Sequence, residues 1–382
     1  MLEALPDEAQ AATARIREWL VARRWIVVWW AGSRGLVIGV ALLVHAAGWP
    51  VHFFRITVAR NTLGLLFTWD SAWYAVVARH GYLFVPGGQS DPAFFPLYPI
   101  LLRSLNALGL GLGVAGVLIS NLAFLVALFA FYELGRALLD ERIAKRATTY
   151  LAVFPMGFVF SMAYPESLVL AAVSLAGLFA LKRRWFLCAV CVAAATLARP
   201  EGVLVAIPIG ALAVHRWRAL QEGERTRALA AVFAGPAVLL SYPLYLGWAV
   251  HDAFAWTKAE TAWNRSFRPE GLGSAVLTFG RVAGRQPWLW RDLCLCIVYV
   301  VLLAIAARTR VPKAWLVMAA LMLLLPLTSG SFQSEGRFGL LALPVYWGLA
   351  AIPGPRWSER LVQTLGIALL VAATFTLPFV FP

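Results

Sequence analysis

The sequence predicts an all-α polytopic membrane protein with about 11 transmembrane helices. Hydrophobic residues make up 61% of the 382 residues, charged residues only 14%, and the mean hydropathy is +0.74. Soluble domains, by contrast, are roughly half apolar and a quarter charged. The apolar runs are long, fairly evenly spaced and separated by short polar stretches. This pattern indicates helices rather than the alternating strands of a membrane barrel.

The apolar runs, delimited by charges and by proline or glycine, give the positions of the predicted spans. These are approximately 26–48, 113–135, 147–163, 167–181, 185–198, 202–214, 228–250, 292–307, 314–328, 338–353 and 361–380. Several are shorter than the roughly 20 residues that a span needs, so they require extension or tilt. Residues 1–24 are too long and too mixed in charge for a signal-peptide n-region. They predict a cytoplasmic amphipathic segment before a single transmembrane domain, 25–382.

Positive charge alternates between the connections. One set holds 20 of the 33 Lys and Arg residues: 1–24, 136–146, 182–184, 215–227, 308–313 and 354–360. By the positive-inside rule these segments are cytoplasmic, so the protein is expected in the cytoplasmic (inner) membrane. The extracytoplasmic face then receives 49–112, 164–167, 199–202, 251–291 and 329–338. The net charge of +14 fits contact with anionic headgroups, and no basic stripe with interleaved aromatics indicates a nucleic-acid partner.

Two of the extracytoplasmic segments, 49–112 and 251–291, are far longer than a helix connection needs. Long loops in compact proteins are usually functional or disordered. These contain "WDSAWY", "DPAFFPLYP" and "AFAWTKAETAWNRSF", whose aromatic content argues against disorder. We therefore expect them to carry interfacial helices and to build a site at the extracytoplasmic membrane surface.

The stretch "FTWDSAWYAVVARHGY", residues 67–82, places a carboxylate between two tryptophans. In a helix, Asp70, Trp73 and Tyr74 share one face. An aromatic, partly dry setting suits a carboxylate that acts as a general base. The alternative is that Asp70 caps an interfacial helix whose tryptophans form an aromatic belt, and position alone does not separate the two. His80 is either a proton shuttle or a structural hydrogen-bonding group.

Other charged residues stand at predicted outer helix ends. Asp91 begins an Asp-Pro helix start, which favours a cap. In "YPES" and "RPEG", Glu166 and Glu201 stand where the helix dipole favours an anion, as caps or as functional groups. Arg199 and Arg337 are cations at outer helix ends, which suits an anionic ligand such as phosphate.

Several familiar patterns do not indicate cofactor chemistry here. "GLGVAG", 111–116, matches a dinucleotide-binding spacing but follows no predicted strand. The four cysteines lie in apolar runs without partner His or carboxylate residues, so they are expected to be packing residues. The chain has no P-loop, no D-x-D and no H-E-x-x-H motif. We expect no metal site and no cofactor.

A group transfer outside the cytoplasmic membrane has no soluble activated nucleotide to draw on. It requires a donor carried across on a lipid, as in polyprenyl-phosphate sugars. Such an enzyme needs a groove for the isoprenoid, cations for the phosphate, a carboxylate base and aromatic residues for the sugar. The sequence offers candidates for all four.

Six motifs in order resemble the GPI mannosyltransferase II (PIG-V) family and its bacterial relatives. They are "FTWDSAWYAVVARHGY", "AFFPLYPIL", "AYPES", "ARPEG", the tryptophan pair that ends in W-N-R at Arg265, and "SEGRF" followed by "LP". The resemblance runs from about residue 67 to 344. It implies a GT-C fold glycosyltransferase that uses polyprenyl-phosphate mannose with inversion, while the absence of a D-x-D motif predicts metal-independent catalysis. It also implies that Asp70 is the catalytic base.

Other roles at this site are our own predictions. Arg199 and Arg337 would neutralise the leaving phosphate. A second acidic residue is expected in such enzymes, and Asp91 and Glu166 both remain open. The substrate-binding candidates are Trp69, Trp73, Tyr74, His80, Asp91, Glu166, Arg199, Glu201, Arg265 and Arg337.

The principal alternative is a transporter or flippase for a lipid-linked or small anionic substrate. Secondary transporters tend to show internal repeats and ionisable groups near mid-membrane. Here no convincing repeat is visible, and apart from Arg34 the charges stand at helix ends. The acceptor is left open among a glycolipid, a cell-wall glycan and a secreted protein.

Overall fold

The computed structural model describes residues 14, 17–48, 63–268 and 270–377, and their regular structure is helical, as predicted. The α-helices are α1 (Arg24–Ala46), α2 (Asp70–His80), α3 (Leu97–Ala107), α4 (Leu112–Leu138), α5 (Glu141–Ala152), α6 (Glu166–Leu181), α7 (Trp185–Ala198), α8 (Ala206–His215), α9 (Glu222–Ala249), α10 (Ala255–Ala262), α11 (Gly271–Val282), α12 (Trp288–Ala307), α13 (Lys313–Leu327), α14 (Glu335–Phe338), α15 (Leu343–Ala351) and α16 (Arg356–Thr376). Short 3-10 turns join several of them.

Five helices in the described part of the chain are long and apolar enough to cross a membrane: α1, α4, α9, α12 and α16. The number becomes six if the turn Pro155–Ser161 and α6, bent by 96°, form one broken span. Shorter apolar helices follow at α7, Pro200–His215 and α13. These helices make the chain a multi-pass membrane protein, whereas the predicted number of about 11 spans is not confirmed.

The long helix α4 lies at the centre of the packing. It is lined by buried residues along its length, and Phe131 stacks on Trp347 of α15 with ring centroids 5.5 Å apart. Phe124 stacks on Phe160 at 4.4 Å. Offset-stacked pairs of this kind add to the stabilisation from area burial.

The predicted span 147–163 is interrupted. The helix α5 ends at Ala152, and a 3-10 turn begins at Pro155, which has no N–H to donate and disfavours helix at the residue before it. The carbonyls freed by the break bind the buried guanidinium of Arg34. Its Nη1 donates to the Gly157 carbonyl at 2.6 Å and to Ser161 Oγ at 3.1 Å, and its Nη2 donates to the Ala152 carbonyl at 3.3 Å. A buried arginine thus replaces the missing helical hydrogen bonds.

The predicted span 338–353 is also divided, into α14, the turn Gly339–Leu341 and α15. Pro344 starts α15 near its first position, where a missing N–H is tolerated. The helix then packs closely on α12, because a Cβ on Gly348 would lie 2.1 Å from the Leu302 carbonyl oxygen. All four residues of α14 are buried.

The two long predicted loops carry helices of their own. The segment 49–112 contains α2 and α3, and 251–291 contains α10 and α11. Residues 49–62, and residues 1–24 apart from 14 and 17–24, lie outside the described residues. The basic connections contact one another: Arg146 Nε lies 3.3 Å from Glu359 Oε1, and Arg183 Nη1 lies 3.6 Å from Glu224 Oε2.

We expect Arg34→Met to lower the free energy of unfolding by roughly 2–3 kcal/mol, because it leaves buried carbonyls without their charged donor. Thermal or denaturant unfolding in detergent measures the loss. Arg103→Met is a matched control, since Arg103 is exposed. Equal stability of the two variants would show that Arg34 does not support the break.

Candidate active site

The backbone at the start of α2 presents Asp70. Trp69 has a positive φ of 59°, an uncommon conformation for a bulky residue, and Asp70 is the first helical residue. The backbone N–H of Asp70 donates to the Tyr164 hydroxyl at 3.1 Å, which ties this turn to the chain just before α6. The side chain of Asp70 is 26% exposed. It contacts a distant arginine instead of capping its own helix.

Arg337, on α14, is that arginine. Its Nη1 donates to Asp70 Oδ2 at 2.5 Å, across 267 residues of sequence. Its guanidinium also lies over the Tyr164 ring, 5.1 Å from the centroid. Burial alone would lower the pKa of Arg337, but the carboxylates of Asp70 and Glu166 raise it overall. Arg337 therefore stays a cation.

Glu166 begins α6 and is fully buried. Its Oε1 accepts a hydrogen bond from Arg199 Nη1 at 2.6 Å and lies 3.5 Å from Arg337 Nε. One carboxylate oxygen is thus shared by two guanidinium groups. Its position at a helix N-terminus, where the dipole favours an anion, fits the charge it carries.

Arg199 lies between α7 and the turn Pro200–Val205. It also pairs bidentately with Glu201, with Nε to Oε2 at 3.2 Å and Nη2 to Oε1 at 3.3 Å. The turn packs directly on α7, because a Cβ on Gly202 would lie 2.2 Å from the Ala195 carbonyl oxygen. Burial opposes the charge of Arg199, yet the carboxylates of Glu201 and Glu166 raise its pKa above the ordinary value. These contacts complete an ion-pair chain, defined as Asp70, Arg337, Glu166, Arg199 and Glu201.

Three guanidinium groups surround the ring of Phe338. Those of Arg199, Arg265 and Arg337 lie 4.7, 4.9 and 5.3 Å from its centroid. These distances are within the range of cation–π attraction. Arg265 Nη2 donates to the Gln333 carbonyl at 3.1 Å. We call this group the arginine cluster. Its three cations concentrate positive charge around Phe338.

The arginine cluster and Asp70 border one cavity of about 310 Å³, a volume within the range of small-molecule sites. Aromatic residues and charged residues line it together. The lining includes Asp70, Tyr74, Phe94, Phe95, Arg199, Glu201, Trp256, Glu260, Trp263, Arg265, Arg337 and Phe338. They come from four of the five segments that the charge alternation predicted on one face. The fifth, 164–167, contributes Glu166, which does not line the cavity but contacts Arg199 and Arg337.

The remaining candidates from the sequence lie outside this lining. Trp73 packs behind the wall, stacked on Phe94 with centroids 5.9 Å apart, and Trp69 is half-buried beside it. Asp91 is buried, and its Oδ1 accepts a hydrogen bond from the Leu83 N–H at 2.8 Å. His80 is exposed at the end of α2. Asp91 therefore holds the loop after α2, and burial raises its pKa to about 6.

Two buried carboxylates near the site, Asp292 and Glu335, were assigned no role from the sequence. Asp292 Oδ2, in α12, accepts a hydrogen bond from the Ser334 N–H at 2.8 Å and holds Ser334 at a left-handed φ of 64°. Tyr299 donates to the Gly336 carbonyl at 2.7 Å. These contacts orient the turn that carries Arg337. The available signal was an aspartate within an apolar run, where an ionisable residue needs a purpose.

Glu335 is fully buried next to this turn. Neither of its carboxylate oxygens makes a hydrogen bond among the described residues. Burial raises its pKa to about 8, against the opposing effect of Arg265. The carboxyl group is thus expected to be protonated at neutral pH.

The described residues contain no group of three or more His, Cys, Asp or Glu residues arranged to hold a metal ion. The four cysteines are free thiols. The "GLGVAG" segment runs into the start of α4 and follows another helix, not a strand.

The chain matches the model of a known protein family. The family model described as Mannosyltransferase (PIG-V) matches residues 50–300, which is 251 of the 382 residues. The chain belongs to the PIG-V mannosyltransferase family. The predicted resemblance is therefore confirmed. The matched range contains Asp70, Glu166 and Arg199, whereas Arg337 lies beyond it.

Solved structures also resemble this family member. One is the archaeal oligosaccharyltransferase AglB from Archaeoglobus fulgidus in complex with an inhibitory peptide and a dolichol-phosphate. Identity is 13%, the TM-score is 0.47, and the match covers 94% of this chain and 56% of AglB. Another is ArnT from Cupriavidus metallidurans bound to undecaprenyl phosphate, with 18% identity, a TM-score of 0.49, and coverage of 90% of this chain and 64% of ArnT.

The chain thus spans little more than half of the AglB length and less than two thirds of ArnT. With TM-scores below 0.5, neither likeness transfers the ligands of those proteins to this family member. No curated protein matches it in sequence.

We expect Glu166→Gln to destabilise the fold by about 3–5 kcal/mol, because it removes the shared negative partner of two buried guanidinium groups. Unfolding in detergent measures the change. Glu270→Gln is the control, because Glu270 is exposed. A loss below about 1 kcal/mol would show that Glu166 is not a central member of the ion-pair chain.

Glu335 predicts a pH effect on stability. Because its folded pKa of about 8 exceeds the ordinary value of 4.5, the folded state binds the proton more tightly. Its contribution is present below pH 4.5 and decreases as the pH rises to 8, by up to about 1.4 kcal/mol per pH unit. Glu335→Gln removes this dependence, so the variant should gain stability over the wild type between pH 5 and about 8. Parallel curves for the two proteins would refute the assignment.

Proposed function

We propose that this family member is an inverting mannosyltransferase that uses a polyprenyl-phosphate-linked mannose donor. The observation that carries the proposal is the meeting of one partly exposed carboxylate, Asp70, with the arginine cluster in a single cavity. A sugar transfer from a phosphate carrier needs both. The carboxylate accepts the proton of the acceptor, and the cations stabilise the charge of the leaving phosphate.

In the proposed step, Asp70 accepts the proton of an acceptor hydroxyl group as its oxygen forms a bond with the anomeric carbon. The bond from that carbon to the phosphate oxygen breaks on the opposite side, which inverts the configuration. Its electron pair leaves with the polyprenyl phosphate. Arg199 and Arg337 lie where guanidinium groups neutralise this phosphate, and Arg265 adds a third cation.

The contact between Asp70 and Arg337 gives donor binding a role in activating the base. In the structure, Arg337 donates to Asp70 Oδ2. A donor phosphate at the arginine cluster competes for the same guanidinium. Occupation by the donor thus releases the Asp70 carboxylate toward the acceptor. Neither of the two candidate second acids lines the cavity, but Glu166 contacts Arg199 and Arg337 in the ion-pair chain, whereas Asp91 binds the Leu83 N–H.

We further propose a GT-C architecture with about 11 spans in one domain, 25–382, preceded by a cytoplasmic segment, 1–24. The cavity then faces the extracytoplasmic side of the inner membrane, between the loops 49–112 and 251–291. Four of the five predicted outer segments line the cavity, and the fifth contacts its arginines through Glu166, which supports this topology. The reaction is expected to need no metal and no cofactor. The acceptor is a glycolipid or glycan.

The proposal predicts that Asp70→Asn loses at least about 100-fold in mannose transfer, because an amide cannot accept the proton. Purified protein is reconstituted with labelled polyprenyl-phosphate mannose and a lipid-plus-glycan extract, and labelled product is measured. Asp252→Asn is a matched control, because Asp252 pairs with Lys258 outside the cavity.

Three outcomes would each contradict a different part of the proposal: the role of Asp70, the transfer reaction and the inversion. Equal transfer by wild type and a well-folded Asp70→Asn variant would remove Asp70 from catalysis. Donor movement across the bilayer without product would overturn the transferase in favour of a carrier. Product of retained configuration would contradict inversion.

A further inference from the structure

The cavity has a second wall that the proposed reaction does not yet use. Trp256 and Glu260 lie on α10, and Trp263 follows its last residue. The spacing of four and three residues places them on one helical face. All three line the cavity. This wall, defined by these three residues, differs in character from the arginine cluster.

Both indole rings are held in place by neighbouring residues. Trp256 meets the ring of Phe95 edge-on, with centroids 5.2 Å apart. Trp263 Nε1 donates to the Ser90 carbonyl at 3.3 Å, and its ring meets Trp73 edge-on at 5.3 Å. The rings are therefore rigid surfaces rather than mobile side chains.

Glu260 stands between the two indoles on the same face. Burial raises its pKa to about 7, against the opposing effect of Arg265. Glu260 is partly buried and lines the cavity, so its carboxyl group can form hydrogen bonds with a ligand there. An ionised carboxylate repels phosphate. The phosphate therefore belongs with the arginine cluster and not with this wall.

A sugar ring has the chemistry that fits this wall. Its C–H faces are apolar enough to pack on an indole, and its hydroxyl groups form hydrogen bonds with a carboxyl group. Arg265 belongs to the arginine cluster and also acts electrostatically on Glu260. Because Arg265 and Glu260 line the same cavity, a sugar joined directly to a phosphate at the cluster extends into the space that Glu260 borders.

We propose that Trp256, Glu260 and Trp263 form the subsite that recognises the sugar ring of the donor. Sugar hydroxyl groups hydrogen-bond the Glu260 carboxyl group, and the apolar face of the ring packs on an indole. The inference rests on the proposed function, because it places the donor phosphate at the arginine cluster. It assigns a determinant of donor specificity.

The test compares a ligand that carries the sugar with one that lacks it. Equilibrium binding of labelled polyprenyl-phosphate mannose and of labelled polyprenyl phosphate is measured on the full-length protein in nanodiscs. Glu260→Ala should weaken binding of the mannosyl ligand about 10- to 100-fold, the range for loss of hydrogen bonds to a charged group. It should change binding of the sugar-free ligand less than about twofold. Glu260→Gln should lose less, because its amide still forms hydrogen bonds.

Glu270→Gln is the control, because Glu270 is exposed and lies outside the cavity lining. Equal weakening of both ligands by Glu260→Ala would overturn the subsite and show that Glu260 acts through the arginine cluster. Unchanged binding of both would also overturn it, with the proposed function left standing. Failure of the wild type to bind either ligand would instead reject the proposed function.

Discussion

The ion-pair chain from Asp70 to Glu201 is the interaction on which this site depends. Its five charges alternate in sign and come from four separate stretches of the chain: the start of α2, the start of α6, the turn after α7 and α14. A charge removed from water is costly unless a partner compensates it. Each member supplies that compensation to its neighbours, so the helices that carry them have to meet where the charges meet.

The same arrangement prepares the cavity for an anion. Asp70, Glu166 and Glu201 balance Arg199, Arg265 and Arg337 in number, but the cations converge on Phe338 while the carboxylates lie around them. The Phe338 ring occupies the space between the three guanidinium groups, where a counter-ion would otherwise bind. A phosphate that enters therefore meets cations whose positions are already set, which reduces the cost of ordering them.

Much of the fold could be read from the sequence because its signals are local. The span predicted at 185–198 coincides with α7, since Arg184 and Arg199 delimit an apolar run. The spans at 147–163 and 338–353 were predicted as continuous helices, but the structure interrupts both of them. Their breaks depend on Arg34 and on the close packing of α15 against α12, which no window of sequence shows. Charge alternation grouped Asp70 with Arg337, but their direct contact across 267 residues is a tertiary event. The burial of Glu335 and Asp292 is likewise a tertiary feature, although an aspartate within an apolar run was a signal for Asp292.

The buried hydrogen-bonding site of Arg34 has a consequence for the synthesis and membrane insertion of the chain. The guanidinium is synthesised 118 to 127 residues before the groups that bind it at Ala152, Gly157 and Ser161. At about 5–20 residues per second, this arginine waits on the order of ten seconds for its partners. If insertion follows synthesis, the first helix enters the bilayer with an uncompensated cation. During that interval the guanidinium has to extend toward the headgroups or be shielded by the insertion machinery. It becomes buried once the broken helix supplies its hydrogen-bond partners.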